Sequence, residues 1–294
     1  MPPAPRTRGV LVAAFATLAA LAACAPQKPT PAITPTGSGS PSAAACTPAT
    51  MQTLTAGKLT IGTDNPVYEP WFTDNKPENG QGFEGAVAAA VATKLGYANS
   101  DVVWTRVTFN NAIAPGPKSF DFDINEFSIT EERRKAVDFS SPYYDVTQAV
   151  ITTKGSKIDG VTTLAGLAKA KLGAQVGTTS YDAITQVIEP TTKPSVYNNN
   201  DDAVTALKNG QIDGLVLDLP TAFFVTSAEL DNGVIVGQVP AVTAQPEQFG
   251  LVLDLHSPLT TCVSQAVDAL RADGTLGNLT SKWLTQVANA PVLN

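Results

Sequence analysis

The run Asn125-Glu126-Phe127-Ser128-Ile129-Thr130-Glu131-Glu132-Arg133 sets an amide, three carboxylates, two hydroxyls and a guanidinium just beyond the apolar-alternating Asp121-Phe122-Asp123-Ile124. A guanidinium held near hydroxyls and backbone N–H groups suits a carboxylate, because its planar fork meets two oxygens at once. Gly177-Thr178-Thr179-Ser180 lies between a predicted strand and a predicted helix. There the first N–H groups of the helix lack partners and align with the positive end of its dipole. Alone this is a weak signal, since most such starts are plain caps. Asp218 ends the apolar Gly214-Leu-Val-Leu run, at the strand edge where α/β sheets take ligands. A helix N-cap ahead of Pro220 is its bland alternative. Together these residues suit a small zwitterion, with Arg133, Ser128, Thr178 and Thr179 for its carboxylate and Asp218 for its ammonium. A buried site that left either charge unmet would forfeit several kcal/mol in desolvation.

A second group walls a side-chain pocket. The turn Gly62-Thr-Asp64-Asn-Pro-Val-Tyr68-Glu-Pro-Trp71-Phe72 supplies Asp64, Tyr68 and Trp71, whose rings can sandwich an aliphatic stem or a cation. Trp71 and Phe72 suit a lobe core equally well. Asn125, Glu126 and Ser180 complete the set. Glu126 either meets a cationic ligand group and repels acidic ones, or turns to solvent. The two acids Asp64 and Glu126 tilt the expected ligand toward polar or basic.

Other chemistries lack parts. His256 is the one histidine, in a loop, with no His-x-x-x-His, Cys-x-x-Cys or phosphate-cradling glycine loop. Triads and zinc sites are thereby incomplete, and no metal or cofactor is expected. Glu126 as a general acid keeps a metal-free enzyme open as the rival reading. The net charge of −7 repels phosphate backbones, so nucleic acid is not an expected partner.

The elements that must position these groups alternate. Strands are expected at 58–63, 102–107, 120–125, 146–153, 171–176, 195–197, 212–218 and 249–253. Helices are expected at 83–95, 179–188, 201–209, 258–272 and 276–287. The helix at 83–95 shows the pattern best, with Phe83, Val87, Val91 and Leu95 at helical spacing and Gly96 as its stop. Strand–helix–strand order at this spacing argues for α/β lobes with largely parallel sheets.

The first 23 residues read as a leader. Arg6 and Arg8 precede the apolar Val10–Ala23, at roughly 14 residues too short to cross a bilayer, which needs about 20. Leu21-Ala-Ala-Cys24 looks like a bacterial lipobox, which makes Cys24 the lipidated first residue. Residues 24–52 then read as a stalk, rich in Pro, Thr, Ser and Ala up to Ala45, with too little apolar content to fold. Cys46 and Cys262 remain, and an extracytoplasmic compartment invites their pairing.

Ser128-Ile-Thr130-Glu-Glu-Arg133, followed by Val137-Asp-Phe-Ser-Ser-Pro-Tyr143, resembles the Ser-x-Thr-x-x-Arg…Val-Asp-Phe-Ser-x-Pro-Tyr signature of family 3 periplasmic solute-binding proteins. These are the amino-acid receptors of ABC importers. Asp213-Gly-Leu-Val-Leu-Asp218-Leu-Pro220 is similar to the family's Asp-Ala-Val-Val-x-Asp-x-Pro, whose last Asp takes the α-ammonium. Gly62 to Phe72 resembles Gly-Thr-Asp-x-x-Tyr-x-Pro-Phe, with one extra residue before Tyr68 and Trp71 inserted. Two departures stand out: Ala86 replaces a second acid after Gly82-Phe83-Glu84, and Asn125-Glu126 replaces a pair that is usually small.

The resemblance implies an α/β, two-lobe, periplasmic-binding-protein-like type II (Venus-flytrap) fold. Lobe 1 would hold residues 53–147 plus 244–294, and lobe 2 residues 148–243, with a hinge near 146–153 and 239–247. It further implies a monomer that takes a free amino acid and meets an ABC permease while anchored outside the membrane by the Cys24 lipid. A sensor feeding a receptor kinase would use the same closed form.

Overall fold

The computed structural model describes residues 46–241, 245–284 and 290–294. The leader, Cys24 and the stalk up to residue 45 lie outside the described residues. Strands are β1 Leu59–Thr63, β2 Val102–Arg106, β3 Phe122–Asp123, β4 Val137–Phe139, β5 Tyr144–Val146, β6 Gln148–Thr153, β7 Leu172–Gln175, β8 Ser195–Tyr197, β9 Gly214–Asp218, β10 Gly233–Val239, β11 Glu247–Phe249 and β12 Val252–Asp254. Helices are α1 Phe83–Lys94, α2 Phe109–Ala112, α3 Thr179–Ala183, α4 Asn200–Lys208, α5 Leu219–Phe224, α6 Thr260–Ala272 and α7 Thr275–Trp283.

The strands form two five-stranded sheets and a ribbon. The first sheet runs β2-β1-β3-β12-β4, with β1 parallel to β2 and β3, and β12 antiparallel to both its neighbours. The second runs β10-β6-β9-β7-β8, with a parallel β9-β7-β8 core and antiparallel β6 and β10 outside it. Between them β5 and β11 pair antiparallel, Val146 opposite Glu247 and Tyr144 opposite Phe249. These two strands run side by side where the lobes meet, the geometry of a hinge in which few backbone angles need change.

Burial explains the placement. Phe83, Val87 and Val91 of α1 are fully buried against Leu59 and Ile61 of β1 and against Val263 and Val267 of α6. Each such side chain contributes roughly 1.5–3 kcal/mol of transfer free energy. In the second lobe Leu215 and Leu217 face one apolar cluster and Val216 the other, so β9 is buried on both sides. That is why it reads as a continuous apolar run. Gly82 takes φ 86°, where a Cβ would lie 2.3 Å from the Trp71 carbonyl, so the turn into α1 requires glycine.

Several expectations change. The strand at 120–125 contracts to two residues, and the one at 249–253 divides into β11 and β12 around Gly250, whose Cβ would meet Ile129 at 2.8 Å. The helix at 179–188 is α3 followed by a π-helical turn, Ile184–Ile188. The seven residues of β10 form an edge strand the alternation does not announce, because Gly233 and Gly237 interrupt it. The assignment of residues 244–294 to lobe 1 needs correcting at its end. Val292 bridges to Gln238 and Leu293 is buried among Val150, Val216 and Val236, so Ala290–Asn294 belongs with the second lobe. The stalk also ends sooner than residue 52: Met51 lies in the first core, and Cys46 is joined to Cys262 with Cα atoms 5.4 Å apart. The expected pairing is therefore present.

Candidate functional site

The narrow cleft between the sheets has a volume of about 30 Å³. From the first lobe it is lined by Asp64, Tyr68, Phe109, Asn125, Glu126 and Arg133, and from the second by Gln175, Thr178, Thr179, Ser180, Asn200, Leu217, Asp218 and Thr221. The loop after β3 delivers Asn125 and Glu126, a short helical turn delivers Arg133, the β7–α3 junction delivers Thr178 to Ser180, and the end of β9 delivers Asp218.

Arg133 is 8% exposed and lies over the Phe109 ring, 5.2 Å from its centroid, while Phe109 stacks on Phe127. Its Nη1 donates to the Ser128 carbonyl at 2.7 Å and its Nη2 crosses the cleft to the Gly177 carbonyl at 3.0 Å. Gly177 holds φ 76°, and a Cβ there would meet Asn110 Oδ1 at 2.5 Å. Burial lowers the Arg133 pKa, opposed by Glu247, Asp218 and Asp182.

Glu126 sits in the left-handed region at φ 54°, a conformation costing about 1–3 kcal/mol for a residue with a Cβ. Two contacts hold it. Its N–H donates to Glu84 Oε1 at 2.7 Å, and its Oε2 accepts from Thr221 Oγ1 at 2.8 Å. Glu84 also accepts from the Tyr143 hydroxyl, and burial raises its pKa to about 7. Burial first, then Asp218 and Glu84, push the Glu126 pKa well up. Burial and then Glu247 do the same to Asp218, while Gln148 opposes, its Nε2 donating to Asp218 Oδ1 at 2.6 Å. The cleft therefore gathers negative charge that its own surroundings disfavour.

A family model of the bacterial extracellular solute-binding proteins, family 3, matches residues 59–286, a span containing both sheets and the whole cleft lining. The chain belongs to that family. It is 29% identical over 238 residues to the ABC transporter arginine-binding protein 1 of Escherichia coli K12, covering 79% of this chain and 92% of that protein. To a probable histidine-binding protein of Campylobacter jejuni it is 32% identical over 234 residues, covering 76% and 84%. A solved ancestral arginine-binding protein bound to arginine superposes with a TM-score of 0.64 at 31% identity, over 77% of this chain and 97% of that one. The family is extracellular by its own description, and the type II two-lobe fold follows.

Of the residues singled out in this solute-binding protein's sequence, Asp64, Tyr68, Asn125, Glu126, Arg133, Thr178, Thr179, Ser180 and Asp218 share the cleft. Trp71 does not. It is wholly buried in the first core, edge-on to Phe83, Tyr144 and Phe249, so its place in the pocket wall is corrected to a supporting one. Ser128 stands just behind the lining, its hydroxyl given to Glu247. The Thr178 hydroxyl caps α3, accepting from Tyr181 N–H and donating to the Gln175 carbonyl, so what it can turn to a ligand is backbone. Thr221, Phe109, Gln148 and Glu247 were not anticipated. Thr221 had a faint signal as a hydroxyl in the first turn after Asp218-Leu-Pro. The other three carry no motif of their own. Among the described residues no group of His, Cys, Asp or Glu could hold a metal, and no helix is long and apolar enough to cross a membrane.

Proposed function

We propose that this solute-binding protein captures a free cationic amino acid and presents it to an ABC permease, without covalent chemistry. The observation that carries the reading is the charge inventory of the cleft, where Asp64, Glu126 and Asp218 face a single cation, Arg133. A basic amino acid brings one carboxylate and two cations. Its carboxylate meets Arg133 and the first-turn N–H groups of α3, which helix geometry leaves without intrahelical acceptors. Its ammonium meets Asp218. Its side-chain cation meets Glu126 and Asp64, with Tyr68 and Asn125 alongside. The incoming positive charge favours the ionised Glu126 and Asp218, which burial first and neighbouring carboxylates second disfavour. Closure then follows as a population shift, because contacts to both lobes exist only in the closed state. The protein acts as a monomer outside the membrane, held by a lipid on Cys24 after removal of residues 1–23.

The test is the melting temperature of ligand-free, refolded protein against a panel of L-amino acids. A ligand at a thousandfold excess over Kd adds about 4 kcal/mol, or roughly 8–16 °C for a body of this size. Arginine or lysine should give such a shift and glutamate none. A flat panel refutes the reading.

A further inference from the structure

Glu247 lies in the hinge ribbon, opposite Val146, at the back of the cleft. Three donors converge on its carboxylate. Ser128 Oγ from the first lobe reaches Oε1 at 2.5 Å, Thr179 Oγ1 from the second lobe reaches the same oxygen at 2.5 Å, and Gln148 Nε2 reaches Oε2 at 3.1 Å. The two hydroxyls also lie 3.2 Å from each other. Both were expected to serve a ligand carboxylate, yet the chain supplies a carboxylate of its own to them.

We infer that Glu247 is a positioning residue for ligand capture, a clasp whose hinge-borne carboxylate ties Ser128 of one lobe to Thr179 of the other and so holds the cleft shut over its ligand. Three features support a clasp. The β5/β11 ribbon joins the lobes, so Glu247 stays near the pivot while Ser128 and Thr179 ride on opposite lobes. Both hydroxyls reach one oxygen only when the lobes are together. Hydrogen bonds to an ionised acceptor are about twice as strong as neutral ones, so the contact adds to the closed state. It also leaves the ligand's carboxylate to Arg133 and to backbone N–H groups, which confines where that carboxylate can sit. This role rests on the proposed two-lobe capture of an amino acid.

The experiment compares Glu247→Gln with the unaltered protein in two ways. Spin labels on the exposed Thr93 of α1 and Thr205 of α4 report the closed-to-open ratio without ligand. Stopped-flow binding of arginine reports the two rate constants. A clasp predicts that the closed-to-open ratio falls and that arginine leaves about tenfold faster, with its association rate within about twofold. Thr179→Val should give the same loss, Thr179→Ser should restore it, and Glu247→Gln with Thr179→Val together should cost no more than either alone. If Glu247→Gln fails to fold, the Thr179 pair reads the contact from the other lobe. Unchanged ratio and dissociation overturn the inference. Tighter arginine binding overturns it too, by making Glu247 a competitor of the ligand carboxylate. Unaltered protein that binds no amino acid sinks the receptor reading, and the label distances then decide the clasp alone.

Discussion

The indole N–H of Trp71 donates to Thr221 Oγ1 at 2.7 Å, and that hydroxyl donates onward to Glu126 Oε2. A core residue of the first lobe therefore orients a cleft carboxylate of the same lobe through a hydroxyl of the second. The relay thus spans the two lobes. Trp71→Phe keeps most of the apolar volume and removes the donor, so it should weaken arginine binding about 3–10-fold, as for one lost hydrogen bond. Titration calorimetry checks this, and an affinity equal to the unaltered protein's would show that the relay does not act on the ligand.

Glu126→Gly should separate stability from recognition. Glycine adopts φ 54° freely, and the change also removes a buried carboxyl. Ligand-free protein should melt higher, while arginine binding falls at least about tenfold, as for losing a charged partner. Binding that survives intact would move the side-chain cation elsewhere.

Arg133→Ala should cost roughly 3–5 kcal/mol of ligand binding, the range for removing one half of a buried charge pair. His256→Ala should change nothing, since His256 lies in the loop before α6, away from the cleft lining. Comparable losses in the two variants would refute the carboxylate site.

Proton linkage has a definite sign. Glu126 and Asp218 have folded-state pKa values raised well above the ordinary carboxyl range, and Glu84 is raised to about 7. A raised carboxyl pKa contributes stability that is present below the unfolded value, near about 4, and is lost as pH rises through the folded value. Ligand-free protein should lose stability from about pH 4 to pH 7 and beyond, and Glu126→Gln with Asp218→Asn should reduce that loss, leaving the share due to the buried Glu84 and Asp123. A cationic ligand needs both groups ionised, so its affinity should rise with pH and binding should release protons. Calorimetry in buffers of different ionisation enthalpy counts those protons.

The Cys46–Cys262 disulfide closes a loop of 216 residues. Replacing both cysteines by serine should lower stability by about 2–5 kcal/mol, or roughly 4–20 °C. Both residues pack beside the first core, remote from the cleft, so arginine affinity should hold within about twofold.

What the sequence disclosed follows from how local each signal is. The Phe83–Lys94 stripe, the buried β9 run and the Arg133 and Asp218 motifs are contiguous in the chain, and each appears in place within a residue or two. Trp71 could not be assigned, because an aromatic beside a cleft and one beneath it have the same neighbours in sequence. Glu247 and Thr221 acquire meaning from partners 119 and 95 positions away. The positive φ of Glu126 is a backbone fact that residue type argues against. It also gives a physical reason for the small residues usual at 125–126 in the resembling signature, since glycine takes that conformation without strain. Strand β10 and the return of Leu293 to the second lobe escaped because they depend on what the far sheet leaves uncovered.

The disulfide at Cys46 and the burial of Leu293 have a mechanical consequence. One end of the described chain is riveted to the first lobe, and the other is sewn into the second. Tension on the leading segment passes through the sulfur bridge into α6 before it can peel β1 from its sheet. A donor dye beside Cys46 and an acceptor beyond Leu293 would ride on opposite sides of the pivot, so this receptor carries attachment points for an optical gauge of its own ligand.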